Sequence, residues 1–288
     1  MKKLIYFVVA ALTFAACSKA EMPESNEEIT LSYNISLPHT SRALGEGNSV
    51  THVAYALYTP QGELVKSFEP VAFTGGSANC SVVMMRGEAY KVLFTAQHYD
   101  SGVPVYPIDM ATATLTVPTS CIANSDNYDF FSNVVEVTAS ESSISSSISL
   151  KRKVGLLTIE SSAANWDDAA SLGVIPTHSS LTLKNVPASY NLLSETISSS
   201  TVTVNYATAA LPEDQNTIAS CFCFTGQNQS ITTKADLNVY AGGNTESPVR
   251  STSIDNLTIK NNCITIASGS VLTGTATFTV TIDTKFFE

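Results

Sequence analysis

The chain has 288 residues, 44% hydrophobic and 14% charged, with a formal net charge of −10 at pH 7. That length holds two domains of ordinary size. So acidic a balance excludes a nucleic-acid binder, which needs clustered Lys and Arg to neutralise phosphates.

Met1-Lys2-Lys3 precedes an apolar run from Leu4 to Phe14. The run falls short of the roughly 20 apolar residues that cross a bilayer, so residues 1–16 read as a signal peptide. It ends in Ala15-Ala16-Cys17. Small residues admit the chain to a peptidase cleft, and a cysteine directly after them offers a thiol for diacylglycerol. The pattern resembles a bacterial lipobox, with Phe14 where Leu is usual. It places signal-peptidase cleavage between Ala16 and Cys17 and lipidation on Cys17. Each buried acyl CH₂ contributes about 0.8 kcal/mol, so a multiply acylated Cys17 anchors stably. Loss of Lys2 and Lys3 takes the formal charge from −10 to −12. Residues 17–28 are acidic, contain proline, and read as a solvated tether.

From Ile29 onward apolar side chains alternate with polar ones. Ile29-Leu31-Tyr33-Ile35-Leu37 is the first stripe, a half-buried strand by its period. Val53-Tyr55-Leu57 follows and closes at the turn signal Thr59-Pro60-Gln61-Gly62. Tyr90-Val92-Phe94-Ala96, Ala113-Leu115-Val117 and Val135-Val137 continue the pattern. The Ser-rich stretch 140–149 keeps an isoleucine spacing, Ile144 and Ile148, that predicts an exposed strand. Near Leu150 the pattern restarts, opened by Lys151-Arg152-Lys153, which reads as a solvated strand end.

The second half alternates through Leu157-Ile159, Leu181-Leu183, Val202-Val204-Tyr206, Cys221-Cys223, Leu237-Val239 and Leu257-Ile259. It closes with Ala276-Phe278-Val280-Ile282. One short helix is predicted around Asn165–Ala170, capped by Ser162 or Asn165. Short strands punctuated by Gly, Pro, Asn and Ser predict an all-β chain of two tandem β-sandwiches, 29–149 and 150–288.

Chemistry-bearing patterns are missing. Apart from Cys17, the cysteines are Cys80, Cys121, Cys221, Cys223 and Cys263, an odd number in no disulfide framework, and read as buried thiols. His39, His52, His98 and His178 stand singly, so no metal set forms. No serine sits in a nucleophile elbow. Asp167-Asp168 are adjacent and point apart. Gly75-Gly76 and Gly242-Gly243 lack the Lys-Ser or Lys-Thr of a phosphate loop and read as turns. Asp126-Asn127-Tyr128-Asp129 reads as a turn rather than a calcium loop. Tyr99, Tyr106 and Tyr128, with the single Trp166, are the aromatics available to stack on a sugar; packing is their plainer role. No catalytic residue and no cofactor is expected.

The order of several segments resembles the fimbrillin-like proteins, the pilin and fimbrial-anchor lipoproteins of Gram-negative anaerobes. The residues carrying the resemblance are the lipobox at Cys17 and His39-Thr40-Ser41-Arg42-Ala43 after the first strand. Leu150-Lys151-Arg152-Lys153-Val154 and Leu183-Lys184-Asn185-Val186-Pro187 follow. Asn256 to Asn262, Leu272-Thr273-Gly274 and Phe278 to Asp283 complete the set. The resemblance implies two transthyretin-like sandwiches on a lipidated, outer-membrane protein. In polymerising members a trypsin-like protease cuts after an arginine, here between Arg42 and Ala43. That releases the first strand, and a strand from a neighbouring subunit takes its place. Anchor members keep their lipidated start uncut. The implied function is a structural fimbrial subunit or a fimbrial anchor or accessory protein, with other fimbrial subunits as partners. The alternative is a monomeric surface lipoprotein that binds glycan or host protein. Thr275 to Asp283 has a donor's alternation, but reads more simply as the last core strand of the second sandwich.

Overall fold

The structure is a computed structural model that describes residues 27–38, 48–139, 145–213, 216–226, 229–274 and 277–284. Within them the chain is almost all strand, with one α-helix, Ala163–Ser171, and one 3-10 turn, Asp126–Tyr128. The all-β fold expected from alternation is the fold observed.

The first strand is Glu28–Ser36, as its apolar stripe predicts. It is the middle member of a three-stranded sheet, antiparallel to Ser77–Met85 and parallel to Ser145–Ser149. The expected exposed strand within 140–149 is thus present in its described part. A second sheet runs, in spatial order, Lys151–Arg152, Phe130–Thr138, Ala89–Gln97, His52–Tyr58 and Leu64–Ser67.

The two central strands of this second sheet are buried on both faces over most of their length. Their near-continuous apolar runs, Val53–Tyr58 and Val92–Ala96, are what a doubly covered strand requires. One face, through Tyr55, Leu57 and Phe94, packs on the first sheet. The other, through Ala56, Tyr58 and Leu93, joins a second buried cluster with Phe130, Val154 and Phe224.

That second cluster fills a sandwich made by the rest of the chain. Its five-stranded layer orders Ser120–Ile122, Thr201–Ala210, Pro176–Pro187, Ser230–Ala241 and Arg250–Lys260. Its four-stranded layer orders Thr217–Phe224, Val154–Ser161, Ile264–Gly269 and Phe278–Asp283. Ser120–Ile122 lies before Leu150 in sequence yet pairs in parallel with Thr201–Ala210. Thr114–Thr116 pairs with Ser189–Asn191 too, in this case antiparallel.

Local chemistry sets the ends of these elements. The helix starts at Ser162, whose side chain accepts from the Asn165 backbone N–H at 3.3 Å, satisfying one orphan donor. Asn165 is itself buried; its Oδ1 accepts from Leu272 N at 2.8 Å and from Ser161 Oγ at 2.7 Å. Gly75 and Gly76 have φ of 61° and 81°, the left-handed pair a tight hairpin turn demands, and Thr74 bridges Ser77 across it.

The basic triplet departs from expectation. It reads as a solvated strand end, but Arg152 and Lys153 are buried, at 2% and 0% exposure. Each head group has an acidic partner: Arg152 Nε meets Asp129 Oδ1 at 2.8 Å, and Lys153 Nζ meets Glu195 Oε1 at 2.9 Å. Arg152 shares its strand phase with Leu150 and Val154, both core residues. The five described cysteines are free and buried, in line with the thiol reading.

Candidate strand-exchange groove

The first strand obeys its period. Leu31, Tyr33 and Ile35 are buried at 1%, 3% and 0% exposure, while Thr30 and Ser32 face outward. Ile29 and Leu37, the ends of the predicted stripe, are only partly buried against the same cluster. Full burial of an apolar side chain is worth about 1.5–3 kcal/mol. The antiparallel ladder runs from Glu28↔Met85 to Ser36↔Ser77, and the parallel one from Ser32↔Ser145 to Ser36↔Ser149.

Because the strand is internal to its sheet, its withdrawal uncovers two strand edges and the apolar floor between them. Unpaired edges of this kind template pairing with another chain. An extended peptide laid there recovers backbone hydrogen bonds from both sides, and its alternate side chains refill the floor.

The flanks of the strand are lightly held. At its start Glu27 Oε2 meets Arg86 Nη1 at 2.7 Å, with the Arg86 side chain 34% and the Glu27 side chain 57% exposed, so solvent screens the pair. At its end Leu150 N donates to Ser36 O at 2.9 Å. Pro38 then borders a cavity of about 520 Å³ shared with Leu150, Lys151, Lys260 and Asn261. Residue 38 is the last one described before a gap to Asn48. The sequence-derived processing residues Arg42 and Ala43 lie outside the described residues, as do Ala16 and Cys17 of the lipobox.

Phe278–Asp283 is a strand of its own sheet, antiparallel to Ile264–Gly269. It stands at the sheet edge rather than in the core: Val280 and Ile282 are 40% and 38% exposed. Its alternation is real, but among the described residues no strand pairs with its outer edge.

The remaining chemistry-bearing residues are dispersed. Tyr106 is buried and donates its hydroxyl to Tyr128 O at 2.9 Å, so it presents no sugar platform. Tyr99 packs its ring on His52, with centroids 4.6 Å apart. Tyr128 accepts from Ile122 N at 2.9 Å. Trp166 packs partly buried against the second cluster. Asp167 and Asp168 project into solvent from the helix. Among the described residues no three His, Cys, Asp or Glu side chains gather as metal ligands. Sequence reasoning missed the buried Arg152–Asp129 pair; its one signal was the phase of Arg152 with the core positions around it.

No curated protein matches the sequence. Residues 23–288 match a family of unknown function, DUF6562. The chain belongs to that family. Solved structures share the fold of this DUF6562 protein. A fimbrial assembly protein from Parabacteroides distasonis is 10% identical, with a TM-score of 0.50, over 89% of this chain and 100% of that one. A candidate cell adhesion protein from Bacteroides uniformis is 10% identical, with a TM-score of 0.53, over 91% and 99%. A candidate polysaccharide-binding protein from Bacteroides thetaiotaomicron is 9% identical, with a TM-score of 0.52, over 90% and 100%. At such identities the likeness is one of fold.

Proposed function

We propose that this DUF6562 protein is a fimbrial subunit, or a fimbrial anchor or accessory protein, of the fimbrillin-like kind. It is exported as a lipoprotein through Cys17, held at the outer membrane, and assembles with other fimbrial subunits by strand exchange. The reading assigns it no catalytic step. Processing falls between Arg42 and Ala43, in the segment that follows the first strand. The division of the mature chain into 29–149 and 150–288 belongs to the same proposal. The smaller buried cluster keeps to residues 31–150, but the larger one draws on Ala56 to Phe130 as well as on the second half, and the pairing of 120–122 with 201–210 also crosses the boundary.

One observation carries the reading. The strand nearest the tether is internal to its sheet, paired on both edges and filling a core with Leu31, Tyr33 and Ile35. The fold shared with a fimbrial assembly protein supports it.

Limited trypsin digestion of the lipid-free precursor, resolved on a non-denaturing gel, tests it. Cleavage confined to the 39–47 segment followed by a ladder of oligomers is the expected result. An intact monomer that shifts on a glycan array favours a monomeric adhesin, as the fold shared with a candidate polysaccharide-binding protein would suggest. For the anchor, Cys17→Ala is expected to move the protein out of the membrane fraction; retention there contradicts lipidation.

A further inference from the structure

Three buried tyrosines of this protein hand their hydroxyls to backbone carbonyls. Tyr58 Oη donates to Met110 O at 2.8 Å, Tyr106 Oη to Tyr128 O at 2.9 Å, and Tyr206 Oη to Phe222 O at 2.6 Å. Tyr33 is buried to the same degree, at 3% exposure, yet its Oη is enclosed without a hydrogen-bond partner. Its ring meets Phe94 edge-on, with centroids 5.1 Å apart. Cys80 stands opposite on the antiparallel ladder and Ser146 on the parallel one.

The ring suits the groove and the hydroxyl does not. An aromatic side chain buried edge-to-face gains area and a favourable ring contact. A hydroxyl removed from water without a partner costs roughly a factor of ten or more in an equilibrium. Burial also pushes the Tyr33 phenol up from its usual pKa, by the same desolvation. The cost sits at the centre of the strand, between Leu31 and Ile35, where fraying at the ends does not relieve it.

The geometry points to Tyr33 as the residue that makes the first strand the weaker occupant of its own groove. The replacing strand, from another subunit, carries a hydroxyl-free apolar side chain, Phe or a branched aliphatic, at that position. This rests on the strand-exchange reading and specifies which strand the groove selects. Alternate side-chain pockets along an accepting edge set specificity, while the shared backbone bonds do not distinguish sequences. The difference between the two occupants drives replacement without an external energy source, since an equilibrium shifts by the difference in affinity of its competitors.

The test uses the mature chain opened in the 39–47 segment, by trypsin or at an engineered protease site. Two peptides copying residues 28–37 compete for the groove, one unchanged and one with Phe in place of Tyr33. Native mass spectrometry reads which peptide is bound. The Phe peptide is expected to hold the groove about tenfold more tightly. Equal occupancy overturns the inference and leaves strand exchange standing. Entry of neither peptide into a folded, opened chain overturns both. Tyr33→Phe in the uncut chain is expected to raise the thermal midpoint by about 2–4 °C or more, and in the opened chain to slow release of the cleaved fragment. An unchanged or lowered midpoint overturns the inference independently of any exchange.

Discussion

Arg152 and Asp129 form a two-pronged ion pair with neither side chain exposed: Nε lies 2.8 Å from Oδ1, and Nη2 lies 2.8 Å from Oδ2. The guanidinium also lies 4.8 Å from the Phe131 ring centroid. Arg152 is at the edge of the second sheet, opposite Phe131, two residues before the strand that opens the second sandwich. The pair therefore fastens the connection between the two cores. Removing one partner of such a pair strands the other charge and costs about 3–5 kcal/mol. Asp129→Ala and Arg152→Ala are each expected to lower the unfolding free energy in urea by about that amount. The paired replacement Asp129→Leu with Arg152→Met is expected to cost less than either single change. Strictly additive losses would show that the two residues do not act as a pair.

The first strand should separate its inner and outer faces sharply. Ile35→Ala is expected to destabilise the uncut chain by about 2–5 kcal/mol, because Ile35 is fully buried. Thr30→Ala on the outer face is expected to stay within about 0.5 kcal/mol. Equal effects would mean that the strand is not seated as described. Equilibrium urea unfolding of the two variants measures both.

Burial pushes the Cys80 and Cys121 thiols up to about 12, from 9.0. In the window from 9.0 to about 12 the unfolded chain has lost these protons and the folded chain retains them. Stability then falls as pH rises. The contribution is fully present below the unfolded value and gone above the folded one. The urea midpoint should therefore hold steady up to the lower limit and decline through the window. The Cys80→Ala, Cys121→Ala double variant should decline less steeply. A thiol reagent applied to the folded chain at neutral pH should react only as fast as the chain opens.

Gly155 is required by close approach rather than by a turn. A Cβ there would collide with the Lys260 carbonyl oxygen, a backbone atom rather than the end of a flexible side chain. Gly155→Ala is expected to cost about 1–3 kcal/mol through overpacking. Gly87→Ala, where a Cβ meets open space but φ is +84°, tests backbone strain alone. Thermal unfolding of the two variants distinguishes the causes.

Much of the fold is legible in the alternation, and the reason is physical. Leu31, Tyr33 and Ile35 share one face because strand side chains repeat every two residues, so the stripe reports the buried face directly. What a stripe does not carry is what lies across from it. Cys221-Phe222-Cys223-Phe224 looks like two different faces, and both are buried because each is covered by another layer. Val280 and Ile282 alternate like core residues, yet they sit on the last strand of their sheet with exposed side chains. Arg152 reads as solvated because Lys151 and Lys153 flank it. Its partner Asp129 is supplied by a long-range register that no local pattern reveals. The same holds for the groove: both the first strand and the strand within 140–149 are visible in the sequence, but their parallel pairing is not.

The central claim is that the first strand leaves its groove when a strand from another subunit arrives. Native mass spectrometry of the protease-opened mature chain, followed as oligomers grow, tests it most directly. Each subunit filled by a neighbour is expected to have lost its own fragment containing Leu31, Tyr33 and Ile35. Oligomers in which every subunit retains that fragment, or fragment loss that leaves only monomers, would contradict it.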